Sequence, residues 1–376
     1  MTSSSKPSSL GSVLVIGGCG FLGKHITSLL SSAGNTTKIS VLDLSTTRNR
    51  LPEDANVHYH DGDITSPASL TSIFEAAQPD VVIHTASAVL LASPATHQRV
   101  NVEGTRNLLH AASECSSVKA FVYTSSASVV SDNVNDLINA DERWPVVPPK
   151  LQTEIYTETK AEAETLVLSA NRTLRSTLLT VSLRPAAIFG EGDAQFIPNL
   201  VAALDRKRTN VQIGSNDNLF DVTYVGNAAH AHLLAAAALL QTAAKAPTVP
   251  LDTERVDGEV FFVTNGTPVY FWDFARTVWK AAGDETEPAR DVWVLSKEVG
   301  LALASVIEWV MWALGKEPSL KRKQVRYSCM TRYYSIEKAH SRLGYVPKVG
   351  VQEGVERAVR WWREEGSKRG DREKEK

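Results

Sequence analysis

The chain has 376 residues, 43% hydrophobic and 22% charged, a balance that excludes a disordered or collagen-like protein. The net charge of −2 exerts no global pull toward nucleic acid. The three cysteines, Cys19, Cys115 and Cys329, are odd in number and far apart, which excludes a disulfide framework and a cysteine metal site and fits a reducing compartment.

The polar start "MTSSSKPSSLGS" has no apolar run, so it is expected to be a flexible N-terminus over residues 1–11 rather than a signal peptide. "SVLVIGG", from Ser12, reads as a buried strand. "FLGKHITSLLSSAG" reads as a helix ending at Gly34. "KISVLDL" and "NVHYHDGD" are the second and third strands, "SLTSIFEAAQ" a helix and "DVVIHTAS" the fourth strand. "THQRVNVEGTRNLLHAASEC" is a longer helix and "KAFVYTSS" the fifth strand. "YTETKAEAETLVLSA" is the next helix and "LLTVSLRPAAIFG" the sixth strand. Continuous Val/Ile/Leu-rich strands between helices predict a parallel sheet buried on both faces. With right-handed crossovers this is an α/β, Rossmann doubly wound fold over residues 12–190.

After residue 190 the rhythm changes, and residues 191–362 are expected to form a smaller substrate-binding lobe interleaved with the sheet. His230 and His232 lie two apart on a predicted helix, point in different directions and read as structural. "VGLALASVIEWVMWAL", residues 299–314, is apolar but only 16 residues long and carries Glu308. A membrane-spanning helix needs about 20 apolar residues. Trp309, Trp312 and the nearby "KRK" fit a helix lying in a membrane surface, with a buried amphipathic helix as the alternative. The charged tail, residues 363–376, is expected to lack structure.

"GGCGFLG" follows the first strand and opens a helix. Gly17, Gly20 and Gly23 allow a tight turn, close approach of backbone N–H groups to a pyrophosphate, and close packing of the helix. Phe21 and Leu22 belong to the same cofactor loop. Asp43 ends the second strand twenty residues past Gly23, where a carboxylate accepts hydrogen bonds from a ribose and repels a 2′-phosphate. NAD is therefore expected. Arg48 would soften that preference, so NADP stays as the alternative; for Asp43 a turn role competes. Asp63, with Ile64 beside it, is placed to meet the adenine, again against a turn role.

"YTETK" alone is a common helix-surface pattern. Its setting changes that reading. "YTSSAS" ends the fifth strand, and strand ends in an open parallel sheet border the ligand crevice. Ser126 there would orient a substrate oxygen, with Tyr156 as general base and Lys160, one turn on, lowering the phenol pKa and holding a ribose.

Together "GGCGFLG", "DGDIT", "VVIHTAS", "NVEGTRNLL", "YTSSAS", "YTETK" and "LRPAAIFGEGD" resemble the extended short-chain dehydrogenase/reductases over nearly the whole chain. The resemblance implies Ser126, Tyr156 and Lys160 as a catalytic triad, with Ser125 the alternative serine. It also implies Thr85, Ala86 and Ser87 along the cofactor, Asn101 bracing the core helix, and Pro185 and Ala187 near the nicotinamide. "IGSNDNLFDVTYVGNAAHAHLLA", "GEVFFVTNGTPVYFWDFARTVW" and "YYSIEKAHSRLGYVP" are similar to the 3β-hydroxysteroid dehydrogenase branch, and within it to the fungal decarboxylating sterol-4α-carboxylate 3-dehydrogenases.

That likeness implies oxidation of a 3β-hydroxyl beside a carboxylate, giving a β-keto acid that loses carbon dioxide, as in sterol C-4 demethylation. It implies a sterol or triterpenoid substrate, a homodimer, and a monotopic or peripheral protein on the cytosolic face of the endoplasmic reticulum through residues 299–314. Rival readings are a dehydrogenase of specialised triterpenoid metabolism and a non-catalytic dinucleotide-sensing regulator. Sugar-nucleotide epimerases share the first half of the pattern but would need a diphosphate site in the second.

Overall fold

The computed structural model describes residues 9–173, 176–286 and 291–374. Seven short strands form one sheet: β1 (Gly11–Ile16), β2 (Thr36–Asp43), β3 (Val57–Asp61), β4 (Val81–His84), β5 (Ala120–Thr124), β6 (Leu179–Pro185) and β7 (Glu259–Val263). Their spatial order is β7-β6-β5-β4-β1-β2-β3, and every neighbouring pair is parallel. The chain turns outward in opposite directions from β1 and β4, so a crevice opens above their C-terminal ends.

Helices cover both faces: α1 (Phe21–Ala33), α2 (Pro67–Ala77), α3 (Gly104–Glu114), α4 (Ile155–Ser169) and α5 (Val225–Ala244). Because side chains alternate along a strand, Val13 and Val15 enter the layer with α1 and α5, while Leu14 and Ile16 enter the layer with α2, α3 and α4. Six of the seven strands precede residue 190. The seventh, and α5, come from the region expected to form the smaller lobe.

The lobe has its own four-stranded sheet, in the order Val269–Tyr270, Leu219–Phe220, Arg332–Tyr334, Leu137–Ala140. Beside it stand α6 (Lys297–Ala313) and α7 (Arg322–Cys329). Glu308, the charge inside the apolar segment, joins them: its carboxylate accepts from the Arg322 backbone at 2.8 Å and from the guanidinium at 2.7 Å.

Both chain ends differ from expectation where they are described. Leu10 is buried and Gly11 opens β1. Residues from 363 onward, expected without structure, continue α8 (Val351–Lys374). Val355, Ala358 and Val359 bury one stripe of its first half, and Glu353 pairs with Arg357 one turn on. The following Glu, Lys and Arg residues are good helix formers that extend it.

Candidate active site

The Gly-rich turn crosses the C-terminal edge of the sheet from β1 into α1. Gly17 has a φ of +78°, and a Cβ there would lie 2.8 Å from the backbone nitrogen of Ala86. A Cβ on Gly23 would come within 2.1 Å of the Gly17 carbonyl oxygen. Gly20 caps α1 without a side chain, and no acidic residue occupies the first turn. The positive end of α1 therefore faces the crevice, a cradle that any side chain would fill and that suits an anionic pyrophosphate. Thr85 ties this turn to β4: its N–H and its hydroxyl both donate to the Ile16 carbonyl, at 2.9 and 2.8 Å.

At the end of β2, one carboxylate oxygen of Asp43 accepts from the Cys19 N–H at 3.0 Å. Burial, and then the Asp43 charge, push the Cys19 thiol up to about 11. Arg48 is exposed and does not line the crevice. Asp63 does both things weighed for it. Its carboxylate accepts from the Thr65 N–H at 2.8 Å, closing a turn, and it lines the crevice beside Ile64. Asn101 sits in a π-helical turn, Gln98–Glu103, and joins three elements. Its carbonyl accepts from the Ser87 hydroxyl and the Ala88 N–H, and its amide donates to Thr159 of α4 at 3.0 Å.

Tyr156 lies in the first turn of α4, and Lys160 follows one turn later. The Ser126 hydroxyl lies 2.8 Å from the Ser128 hydroxyl and near enough to Tyr156 to oppose the rise of its pKa. Ser125 is buried, and its hydroxyl has no hydrogen-bond partner among the described residues. Of the two serines it is thus Ser126, not Ser125, whose hydroxyl acts on the tyrosine. Lys160 is 3% exposed; its ammonium donates to the Thr124 carbonyl and lies 4.4 Å above the Tyr123 ring. Burial lowers its pKa to about 7, against the opposing charge of Glu164.

One expectation is corrected here. Tyr156 is not drawn down by Lys160. Burial raises its phenol above the ordinary range, and the Ser126 hydrogen bond is what opposes the rise. Lys160 is aimed at a backbone carbonyl, and its own charge is disfavoured by burial. His232 is a structural clamp: its Nδ1–H donates to the Ala228 carbonyl, so its Nε2 accepts from the Thr124 hydroxyl at 2.7 Å.

The residues expected to serve catalysis or hold the cofactor, from Gly17 to Ala187, border one cleft of about 1170 Å³, with Asn101 bracing it from behind. Beyond Tyr156 it continues into the lobe between Phe196, Leu200, Trp272, Trp279 and Tyr327. The two indole N–H groups donate to the Ile213 and Leu200 carbonyls, which leaves the ring faces as apolar wall. These wall residues were not singled out in the sequence, since short strands and helices far apart in the chain bring them together. Arg332 and Asp221, also in the wall, had no sequence signal either. Burial pushes Asp221 up to about 7, opposed by the Tyr334 N–H and the Thr264 hydroxyl.

Residues 14–295 match the model of the 3-beta hydroxysteroid dehydrogenase/isomerase family. The decarboxylating sterol-4-alpha-carboxylate 3-dehydrogenase of Saccharomyces cerevisiae is 41% identical over 359 residues, 94% of this chain and 98% of that protein. The protein of that name from Mus musculus is 31% identical over 346 residues, 92% of this chain and 89% of its own. Among solved structures, gox2253 is 25% identical with a TM-score of 0.69, covering 94% of this chain and 98% of that one. The NAD+ complex of Bordetella bronchiseptica WbmH is 19% identical with a TM-score of 0.67, covering 94% and 99%; it shares the fold. A family model spanning most of the chain, and relatives aligned over nearly their full length, place this protein in the 3-beta hydroxysteroid dehydrogenase/isomerase family.

Proposed function

We propose that this protein oxidises the 3β-hydroxyl of a 4α-carboxysterol with loss of carbon dioxide, using NAD. The observation that carries the reading is the convergence of Ser126, Tyr156 and Lys160 at the junction of a dinucleotide cradle and an apolar cleft. The likeness to sterol-4-alpha-carboxylate dehydrogenases supports the choice of substrate. The Asp43 carboxylate supports NAD over NADP, because it repels a 2′-phosphate.

A bound nicotinamide supplies the hydride acceptor. The Gly17–Gly23 turn and the start of α1 hold the pyrophosphate, and Asp43 holds the adenosine ribose. Ser126 orients the substrate oxygen, Tyr156 takes its proton, and Lys160, one turn along α4, holds the nicotinamide ribose. The product is a β-keto acid. When its bond to the carboxylate breaks, the electron pair passes to the new carbonyl as an enolate, which is then protonated on carbon.

Purified protein in detergent, given NAD+ and a 4α-carboxysterol, should form NADH and release carbon dioxide. Tyr156→Phe should lose at least roughly 100-fold in turnover while still binding NAD. Cofactor binding without turnover would sink the substrate assignment and leave hydroxylated triterpenoids to be tried. A Tyr156→Phe protein with unchanged activity would point to the non-catalytic regulator.

The same reading puts the protein on the cytosolic face of the endoplasmic reticulum, with α6 lying in the membrane surface. Of α6 only Gly300 and Ala304 are buried, while Trp309 is 67% and Trp312 79% exposed. Among the described residues no helix is long and apolar enough to cross a membrane, so the proposed attachment is along the surface.

A further inference from the structure

We propose that Arg332 is the receptor for the substrate carboxylate and sets the preference for a 4-carboxylated sterol; this rests on the dehydrogenase reading above. The cleft wall contains four cationic side chains, Lys160, Arg208, Lys323 and Arg332. Lys160 is held by the Thr124 carbonyl. Lys323 is paired with Glu154 at 2.7 Å. Arg208 is exposed to solvent. Arg332 differs from all three. It is only 9% exposed, yet no carboxylate lies within ion-pair distance and no side-chain hydrogen bond reaches its guanidinium from the described residues.

What surrounds Arg332 instead is aromatic. Its guanidinium lies 4.3 Å from the Tyr327 ring centroid and 5.6 Å from that of Phe220. The rings fix the flat face of the guanidinium and leave its N–H edge to accept a planar anion. A buried guanidinium with no anionic partner is costly, and a ligand carboxylate with two oxygens matches its fork. Asp221 is not that partner: one of its carboxylate oxygens accepts from the Tyr334 N–H at 2.8 Å, the other has no hydrogen-bond partner among the described residues, and neither is in ion-pair distance of Arg332.

Position agrees with this role. Arg332 and Tyr334 are two apart on one strand, so they share a face about 7 Å apart. The Tyr334 hydroxyl donates to the carbonyl of Ala127, the residue after Ser126. Arg332 therefore lines the same cleft as Ser126, on the strand whose Tyr334 reaches the residue after that serine. In a 4-carboxysterol the carboxylate sits on the carbon next to the carbinol carbon. A sterol with its 3-hydroxyl at Ser126 and Tyr156 and its rings against Trp272 and Trp279 would direct that carboxylate to the lobe side of the cleft.

The test compares a 4α-carboxysterol with its 4α-methyl counterpart, both with NAD+ in detergent, in wild type, Arg332→Met and Arg332→Lys. Methionine keeps the length and the contact with the rings but removes the charge. Arg332→Met should lower kcat/KM for the carboxysterol by roughly 10- to 100-fold and leave the methyl sterol within about twofold. Arg332→Lys should recover part of the loss, because the charge returns without the fork. Equal losses on both substrates, or none on the carboxysterol, would overturn the assignment. Should Arg332→Met not fold, the wild-type protein decides: it should bind the carboxysterol at least about tenfold more tightly than the carboxysterol methyl ester, and equal binding would overturn the proposal. A wild type that oxidises the methyl sterol as readily as the carboxysterol removes the Arg332 role but leaves the dehydrogenase. A wild type that turns over neither removes both.

Discussion

Lys160 meets two opposed demands. The proposed hold on the cofactor ribose asks for its charge, and burial at 3% exposure opposes that charge. The conflict has a thermodynamic sign. In the unfolded chain the lysine keeps its proton to about pH 10.4, whereas in the folded protein it releases it near 7. Between those values the unfolded chain binds more protons, so this group's contribution to stability rises with pH across that window and is least favourable below 7. Lys160→Met should therefore melt higher relative to wild type at pH 6 than at pH 9.5, while losing turnover. A difference in melting temperature that stays flat across this range would show that the lysine is not held near neutrality. The roles offered to Ser126, Tyr156 and Lys160 needed the strand-end setting and the family resemblance beside the spacing, because "YTETK" alone is a common helix-surface pattern. Their electrostatics could not, since burial depends on Tyr123, Thr124 and Glu164 packed around them. Arg332 was less legible still: "RYY" says nothing of the rings of Phe220 and Tyr327 that enclose it.

At the scale of elements, α4 carries both Tyr156 and Lys160, and its position depends on one buried ion pair. The Glu164 carboxylate takes two nitrogens of Arg184 from β6 and the Ser182 hydroxyl, with both members of the pair nearly sealed from water. Glu164→Gln leaves the guanidinium uncompensated and should cost about 3–5 kcal/mol in urea unfolding. Turnover should fall with it, since α4 loses its tie to the sheet. A loss below about 1 kcal/mol would mean that the pair does not hold the helix. The elements themselves were legible where the pattern is local. The inner strands β1, β4 and β5 show as largely apolar runs because both their faces are covered, whereas β3, "VHYHD" at the sheet edge, is only partly buried. Strand β7 has the same apolar character in "EVFFV", but its pairing with β6 spans more than seventy residues of chain and leaves no local mark. The π-helical turn at Asn101 is equally silent in sequence, and it lets one amide reach both the β4 loop and α4.

At the scale of the whole molecule, the apolar arm and the cleft form one arrangement. Residues Ser319 and Leu320, in the connection from α6 to α7, line the cleft, and Glu308 with Arg322 fixes the hairpin that carries them. Gly300 allows α6 to pack directly on Ile213 and Val325, so the outward face of the helix is held rigidly relative to the cleft mouth. Val306, Trp309, Val310 and Trp312 point away from the protein, and Lys297, Lys316 and Lys321 flank them. Aromatic rings at the headgroup level and cations toward anionic lipid are the pattern of a surface-bound helix. A sterol partitions into the bilayer, so a cleft mouth held at that surface shortens its route to Tyr156. The wild-type protein should therefore float with vesicles of phosphatidylcholine and phosphatidylserine, and added salt should weaken the binding. Trp309→Ser combined with Trp312→Ser should leave the vesicles and lose at least roughly tenfold in turnover of vesicle-borne sterol, because two large apolar surfaces no longer enter the interface. Turnover of detergent-dispersed sterol should stay within about twofold, since neither tryptophan lines the cleft. Equal loss in detergent and in vesicles would assign these residues to folding rather than to docking, and a wild type that never floats would remove the membrane from the account.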